Sequence, residues 1–172
     1  MTQDISIRPA TELDLPALVL LPFSGGLKLK HRERLERQEN GTVVYLLATL
    51  EGEPIGHLLL KWDCPEHEHV RAVAPPCAEV EDFVVAPELR GKGIGTAMLD
   101  EAANLCRQQG VDRMGLGVGF GNPEAREFYV RRGFEAIPGS EHRVTWRTPD
   151  SDDPSRDVEA FDDCMYMTRE IS

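Results

Sequence analysis

Val84-Val85-Ala86-Pro87-Glu88-Leu89-Arg90-Gly91-Lys92-Gly93-Ile94-Gly95-Thr96-Ala97-Met98-Leu99 decides the fold. The run opens on β-branched residues and closes on an apolar helical period, with one proline and three glycines between, so a strand feeds a helix through a tight turn. The first amides of a helix have no intrahelical partner, and the helix dipole adds partial positive charge to them. Such a turn suits an anion, and glycine matters because a Cβ would keep an anionic oxygen out of hydrogen-bond reach. Arg90 and Lys92 put positive charge at that point in an otherwise acidic chain. The bland reading is a tight strand-to-helix turn and nothing more. A dinucleotide site needs G-x-G-x-x-G and an acidic residue ending the next strand; here the spacing is G-x-G-x-G, and Asp112 precedes that strand. The phosphate loop G-x-x-x-x-G-K-[ST] does not occur.

Downstream, Ile94 to Gln109 reads as a helix with Ile94, Ala97, Met98, Ala102 and Leu105 on one face. Arg113 to Phe120 follows as a strand, then a helix from Pro123 to Arg132 closed by Gly133. Upstream, Glu79 to Val85 is the strand entering the turn. Ile5-Ser6-Ile7 is a short first strand, and Thr11 caps a helix expected over Glu12 to Leu21, shortened or kinked by Pro16. A charged helix is expected over Leu27 to Glu39, stopped by Asn40-Gly41. Thr42 to Ala48 and Ile55 to Trp62 form an antiparallel hairpin, and Asp63 to Cys77, with three prolines, reads as a loop. In the tail, strands are expected over His142 to Arg147 and Cys164 to Thr168. The run Thr148 to Asp163, with seven acidic residues, one Arg and two prolines, reads as an exposed loop. The order predicts an α+β fold. Its mixed, mostly antiparallel sheet is flanked by helices, and the strands at 79–85 and 113–120 lie parallel through a right-handed crossover.

At 172 residues and 41% hydrophobic, the chain suits a single domain spanning 1–172. The stretch Leu13 to Phe23 is broken by Asp14, Pro16 and Pro22, and Met1-Thr2-Gln3-Asp4 lacks a signal peptide's basic and apolar regions, so a cytoplasmic protein off the membrane is expected. Cys64, Cys77, Cys106 and Cys164 are far apart, which fits reduced thiols. A formal charge of -11 repels a nucleic-acid backbone. It could draw a cationic amine, although a solvated acidic face is its ordinary meaning.

Arg90-Gly91-Lys92-Gly93-Ile94-Gly95 satisfies R/Q-x-x-G-x-G/A, and with Asn122-Pro123-Glu124-Ala125-Arg126-Glu127-Phe128-Tyr129 and Arg132-Gly133-Phe134-Glu135 the chain resembles the GNAT superfamily of N-acetyltransferases. The resemblance is strong over residues 79–136 and looser at Ile7-Arg8-Pro9-Ala10 and Gly56-His57-Leu58. It implies a parallel pair of central strands splayed to hold coenzyme A, and transfer of acetyl from acetyl-CoA to an amine of a small molecule or peptide by direct attack in a ternary complex. It assigns the pyrophosphate to Arg90, Gly91, Lys92, Gly93, Ile94 and Gly95 with Thr96 adjacent, and pantetheine pairing and carbonyl polarisation to the backbone of Phe83, Val84 and Val85. It gives Asn122 a cofactor contact and makes Tyr129 the proton donor to the departing thiolate. Asn122 is also a complete N-cap, and Tyr129 could equally be a core aromatic beside Phe128. Glu79 and Glu81 are the candidate bases that deprotonate the acceptor; solvent-facing carboxylates with an ordered-water route are the alternative.

No metal is expected, since the Cys64, His67 and His69 cluster has no second half, and Cys106 has no activating partner. The acceptor lies beyond what the residues reveal, and association into a homodimer stays open. A catalytically silent coenzyme A sensor and a nucleotide-binding domain are the competing functions. Gly115, Gly117, Gly119 and Gly121 alternate along one strand; the bare face suits a helix packed over it, or a widened acyl end of the cleft.

Overall fold

The structure, a computed structural model, describes residues 4–172, so only Asp4 of the opening tetrapeptide lies within it. In chain order the elements are β1 (Ile5–Pro9), α1 (Leu15–Leu18), α2 (Lys30–Glu39), β2 (Val43–Leu50), β3 (Glu53–Cys64), α3 (Glu68–Arg71), β4 (Cys77–Val85), α4 (Ile94–Gln108), β5 (Arg113–Gly119), α5 (Pro123–Val130), β6 (Glu135–Ala136), β7 (His142–Pro149) and β8 (Asp157–Glu170). They form two compact units, Met1–Lys61 with Val80–Leu105, and Trp62–Glu79 with Cys106–Ser172.

In the first unit the strand order is β1-β2-β3-β4. β1 and β2 pair antiparallel from Ile5↔Leu50 to Pro9↔Leu46, and β2 and β3 from Leu50↔Glu53 to Val43↔Lys61. Leu15, Leu18, Leu21 and Leu35 bury against Val43, Tyr45, Leu47 and Leu59. The helix expected over 12–21 is instead a 3-10 turn, Glu12–Asp14, followed by the single turn α1. Pro16 has no N–H to extend a helix, and Asp14 is held by Thr11 N–H at 2.7 Å and the Arg8 guanidinium at 2.8 Å. α2 starts at Lys30, later than expected, and Gly41 leaves it at φ 73°. On α4 the buried stripe is Ile94, Met98, Leu99, Ala102, Ala103 and Cys106. Ala97 is exposed, because the stripe is turned toward Leu99 and Ala103.

In the second unit the order is β4-β5-β8-β6, with β7 on β8. The parallel pairing of β4 with β5 holds Ala78↔Met114 and Glu79↔Gly115, whereas β8 runs antiparallel to β5, β6 and β7. α3 interrupts the segment expected to be all loop and buries Val70 against Cys64, Ala74 and Tyr166. The acidic run is corrected more sharply: β8 begins at Asp157, pairing Asp157↔Pro149 through Cys164↔His142. Its acidity is compatible with a strand because a two-stranded ribbon leaves side chains in water, and Arg143 grips Asp163 with two bonds of 2.8 and 3.0 Å while lying over Phe161. The glycine face of β5 meets side chains where a helix or a cleft was expected. A Cβ on Gly115 would lie 2.6 Å from the Tyr166 hydroxyl and 2.8 Å from Cys77 Sγ; one on Gly117 would lie 3.2 Å from His142 Nε2, and one on Gly119 would strike the Asp162 carboxylate.

Among the described residues no helix is long and apolar enough to cross a membrane, and no three His, Cys, Asp or Glu side chains group as metal ligands. The four cysteines are free and buried. Burial pushes the thiols of Cys77 and Cys106 up to about 11 and about 12, which removes thiolate character.

Candidate functional site

β4 changes character along its length. Val80 is buried, Glu81 is exposed, and Asp82 to Val85 are half-buried. Gly56 of β3 is what lets this segment lie where it does: a Cβ there would come within 2.8 Å of the Val84 carbonyl oxygen. Ala86 N–H then donates to the Ile55 carbonyl at 2.8 Å and anchors the strand end. A 3-10 turn, Pro87–Leu89, follows, and Arg90 Nε turns back to the Val85 carbonyl at 3.1 Å.

Beyond Arg90 the chain bends through Gly91 at φ 73° and Gly93 at φ 83°, left-handed values that L side chains resist. Residues 90–93 are exposed, and a Cβ on Gly91 or Gly93 would touch nothing within 4 Å. Ile94 is buried as the first residue of α4, while Gly95 and Thr96 are half-buried. The strain at Gly91 and Gly93 lies in backbone direction and not in crowding, and a turn of this kind in front of a helix is the setting in which a phosphate group is bound by backbone amides.

A family model described as the acetyltransferase (GNAT) family matches residues 13–134. The chain belongs to the GNAT acetyltransferase family. It is 33% identical over 101 residues to an uncharacterized N-acetyltransferase of Methanocaldococcus jannaschii, covering 59% of this chain and 42% of that protein. It is 31% identical over 93 residues to the aminoalkylphosphonate N-acetyltransferase of Salmonella typhimurium, covering 54% and 57%. The chain thus spans about half the length of these curated relatives. Among solved structures, the PaiA N-acetyltransferase of Thermoplasma acidophilum in complex with coenzyme A superposes at TM-score 0.67 with 18% identity over 97% of this chain and 99% of that one. The ribosomal-protein-S18-alanine N-acetyltransferase of Escherichia coli gives 0.66 with 18% identity over 98% and 95%. These likenesses show the GNAT fold.

In this GNAT chain the candidate acid and bases have different settings. Asn122 caps α5, its side-chain oxygen accepting from Ala125 N–H at 3.1 Å, with Pro123 next. Tyr129, half-buried on the same helix, packs its ring edge against Phe128 and Phe134 at 5.3 and 5.7 Å between centroids. Desolvation pushes its phenol up to about 12, so it stays protonated at neutral pH. Glu79 accepts a 2.8 Å hydrogen bond from the Tyr166 hydroxyl. Glu81 accepts 2.7 Å from Lys61 Nζ, whose side chain is 8% exposed against 44% for Glu81. The ammonium is nearly enclosed and Glu81 is a counter-charge to it, which gives Glu81 a structural task.

Several neighbours escaped sequence reading. Tyr166 reaches Glu79 across 87 positions, and no local pattern announces it. Asp82 leaves a faint signal: Glu81-Asp82 places two polar residues in succession and breaks the alternation of a strand. His31, Tyr45 and His57 lie buried in the first unit, His31 Nδ1 2.7 Å from the Tyr45 hydroxyl and His57 Nε2 2.9 Å from Ser24 Oγ.

Proposed function

We propose that this GNAT protein transfers an acetyl group from acetyl-CoA to an amine. The observation that carries the reading is the open turn from Arg90 to Gly95, with left-handed Gly91 and Gly93 in front of α4, in a chain whose family model spans it. Arg90, Gly91, Lys92, Gly93, Ile94, Gly95 and Thr96 hold the pyrophosphate through backbone amides, with the two cationic side chains adding charge. The backbone of the half-buried residues Phe83, Val84 and Val85 pairs with pantetheine, and an amide directed at the thioester oxygen stabilises the oxyanion formed on attack.

Chemistry proceeds by direct attack. The acceptor ammonium gives a proton to Glu79, or to water held by it, the free amine forms the C–N bond, and the nitrogen releases its second proton to solvent as the C–S bond breaks. The thiolate takes its proton from Tyr129, whose apolar surroundings keep that proton in place until the leaving group demands it. Asn122 supplies a cofactor contact beside its capping role. Glu81 is the weaker base candidate because it neutralises Lys61. The acceptor is an amine of a small molecule or peptide, and the protein works in the cytoplasm as one catalytic domain.

The test is isothermal titration with coenzyme A together with thiol release from acetyl-CoA across a panel of small amines, polyamines, aminoalkylphosphonates and peptides with free N-termini. Coenzyme A binding with turnover of at least one class is expected. Tight binding with no turnover anywhere would favour a silent coenzyme A sensor, and stabilisation by NAD in place of coenzyme A would overturn the reading.

A further inference from the structure

Asp82 adopts φ 45° inside strand β4, where extended backbone is the rule. Its carboxylate is gripped by two cations one helical turn apart on α2, Lys30 Nζ at 2.9 Å and Arg34 Nη1 at 2.7 Å, with side chains 15% and 10% exposed. Arg34 in turn lies 5.4 Å over the Tyr45 ring, which stands edge-on to His57 and stacked with His31. The clamp therefore rests on a packed aromatic floor and not on mobile surface side chains.

A simple ion pair between α2 and β4 would need no left-handed residue. The strain and the clamp occur together, and the residues that follow at once are Phe83, Val84 and Val85. The backbone angles of Asp82 set the direction in which those three amides point. A non-glycine residue held at positive φ persists only when its surroundings over-determine it, and the buried Arg34 with the half-buried Lys30 supplies that determination here.

We infer that Asp82 is a positioning residue, clamped by Lys30 and Arg34 in a left-handed turn that aims the Phe83 to Val85 backbone at the acyl thioester. The inference rests on the reading of those three residues given above. It separates two properties that substitution can divide. Alanine loses both the clamp and the tolerance for positive φ, whereas glycine loses the clamp but accepts the backbone freely.

The experiment measures acetyl-CoA affinity by titration, kcat and KM for acetyl-CoA and the acceptor, and melting temperature, for wild type, Asp82→Ala and Asp82→Gly. Asp82→Ala is expected to lower kcat/KM for acetyl-CoA about ten-fold with acceptor KM unchanged. Asp82→Gly should recover several-fold of that loss in kcat/KM, measured at a temperature where all three proteins are fully folded. A purely structural role predicts equal kcat/KM in the two folded variants, and that result overturns the inference. So does wild-type kinetics in Asp82→Ala. A wild type that binds no coenzyme A overturns the acetyltransfer reading and this inference with it.

Discussion

The Tyr166 hydroxyl donates 2.8 Å to Glu79 Oε2 and lies 3.2 Å from Cys77 Sγ, tying β8 to the start of β4 within one unit. Burial raises the phenol and the Glu79 charge adds to it, so Tyr166 is a donor at every working pH. Tyr166→Phe should cost about 1–2 kcal/mol of stability, read by denaturant unfolding, because a half-buried carboxylate loses a donor. Gly115→Ala should cost a comparable amount, since its Cβ would press on the same hydroxyl at 2.6 Å.

The two strand carboxylates should separate cleanly. Glu79→Gln is expected to lower kcat about 10²-fold with coenzyme A affinity intact, as loss of a general base requires. Glu81→Gln should leave kcat within about two-fold and lower the melting temperature, because Lys61, 8% exposed, loses a charged partner. An unchanged kcat in Glu79→Gln hands proton removal to water.

Tyr129→Phe should reduce kcat about 10²-fold with little change in acetyl-CoA KM and little change in stability, since the ring contacts with Phe128 and Phe134 persist. Steady-state kinetics at pH 7 to 9 checks this. A wild-type rate removes Tyr129 as the proton donor.

Acid should destabilise the protein well above the carboxylate range. Desolvation lowers His57 to about 3 and His31 to about 4, with Lys30 and Arg34 opposing their charging and Asp82 favouring it. Both imidazoles are neutral in the fold but take up protons when unfolded below about pH 6.5, so their contribution is complete above that pH and is lost as pH falls toward 4. The Asp82 carboxyl, which burial would raise but Arg34 and Lys30 hold at about 2, adds a loss only below about pH 3.8. Melting temperature scanned from pH 8 to 4 should fall chiefly between 6.5 and 4. Its decline should be shallower in His57→Gln.

Gly91→Ala and Gly93→Ala should weaken coenzyme A binding about ten-fold, because each φ is left-handed while the added Cβ meets no neighbour. Gly56→Val acts differently: its side chain would push on Val84 and should lower kcat and stability together.

Local chemistry announces itself in a chain. A strand entering Arg90-Gly91-Lys92-Gly93-Ile94-Gly95, a helix cap at Asn122-Pro123 and a stop at Gly133 are each written in a few adjacent residues, because backbone angles and capping are short-range. Those signals carried the strand-helix-strand-helix order and the parallel pair. They failed where a partner distant in sequence decided the outcome. The acidic segment 157–163 is a strand because β7 offers it a ladder and Arg143 a counter-charge. The bare face at the glycines of β5 is filled by Tyr166, Cys77, His142 and Asp162, none of them near in the chain.

The glycine turn before α4 and the family motif around it were therefore determined by the residues alone, since amide direction at a helix start depends on its own neighbours. Which carboxylate is encumbered, how Asp82 holds a left-handed turn, and why two histidines stay neutral were decided only in three dimensions. Each depends on charge and burial contributed by elements remote in sequence, and electrostatic energy depends on distance through space and on lost water, neither of which is carried by sequence order.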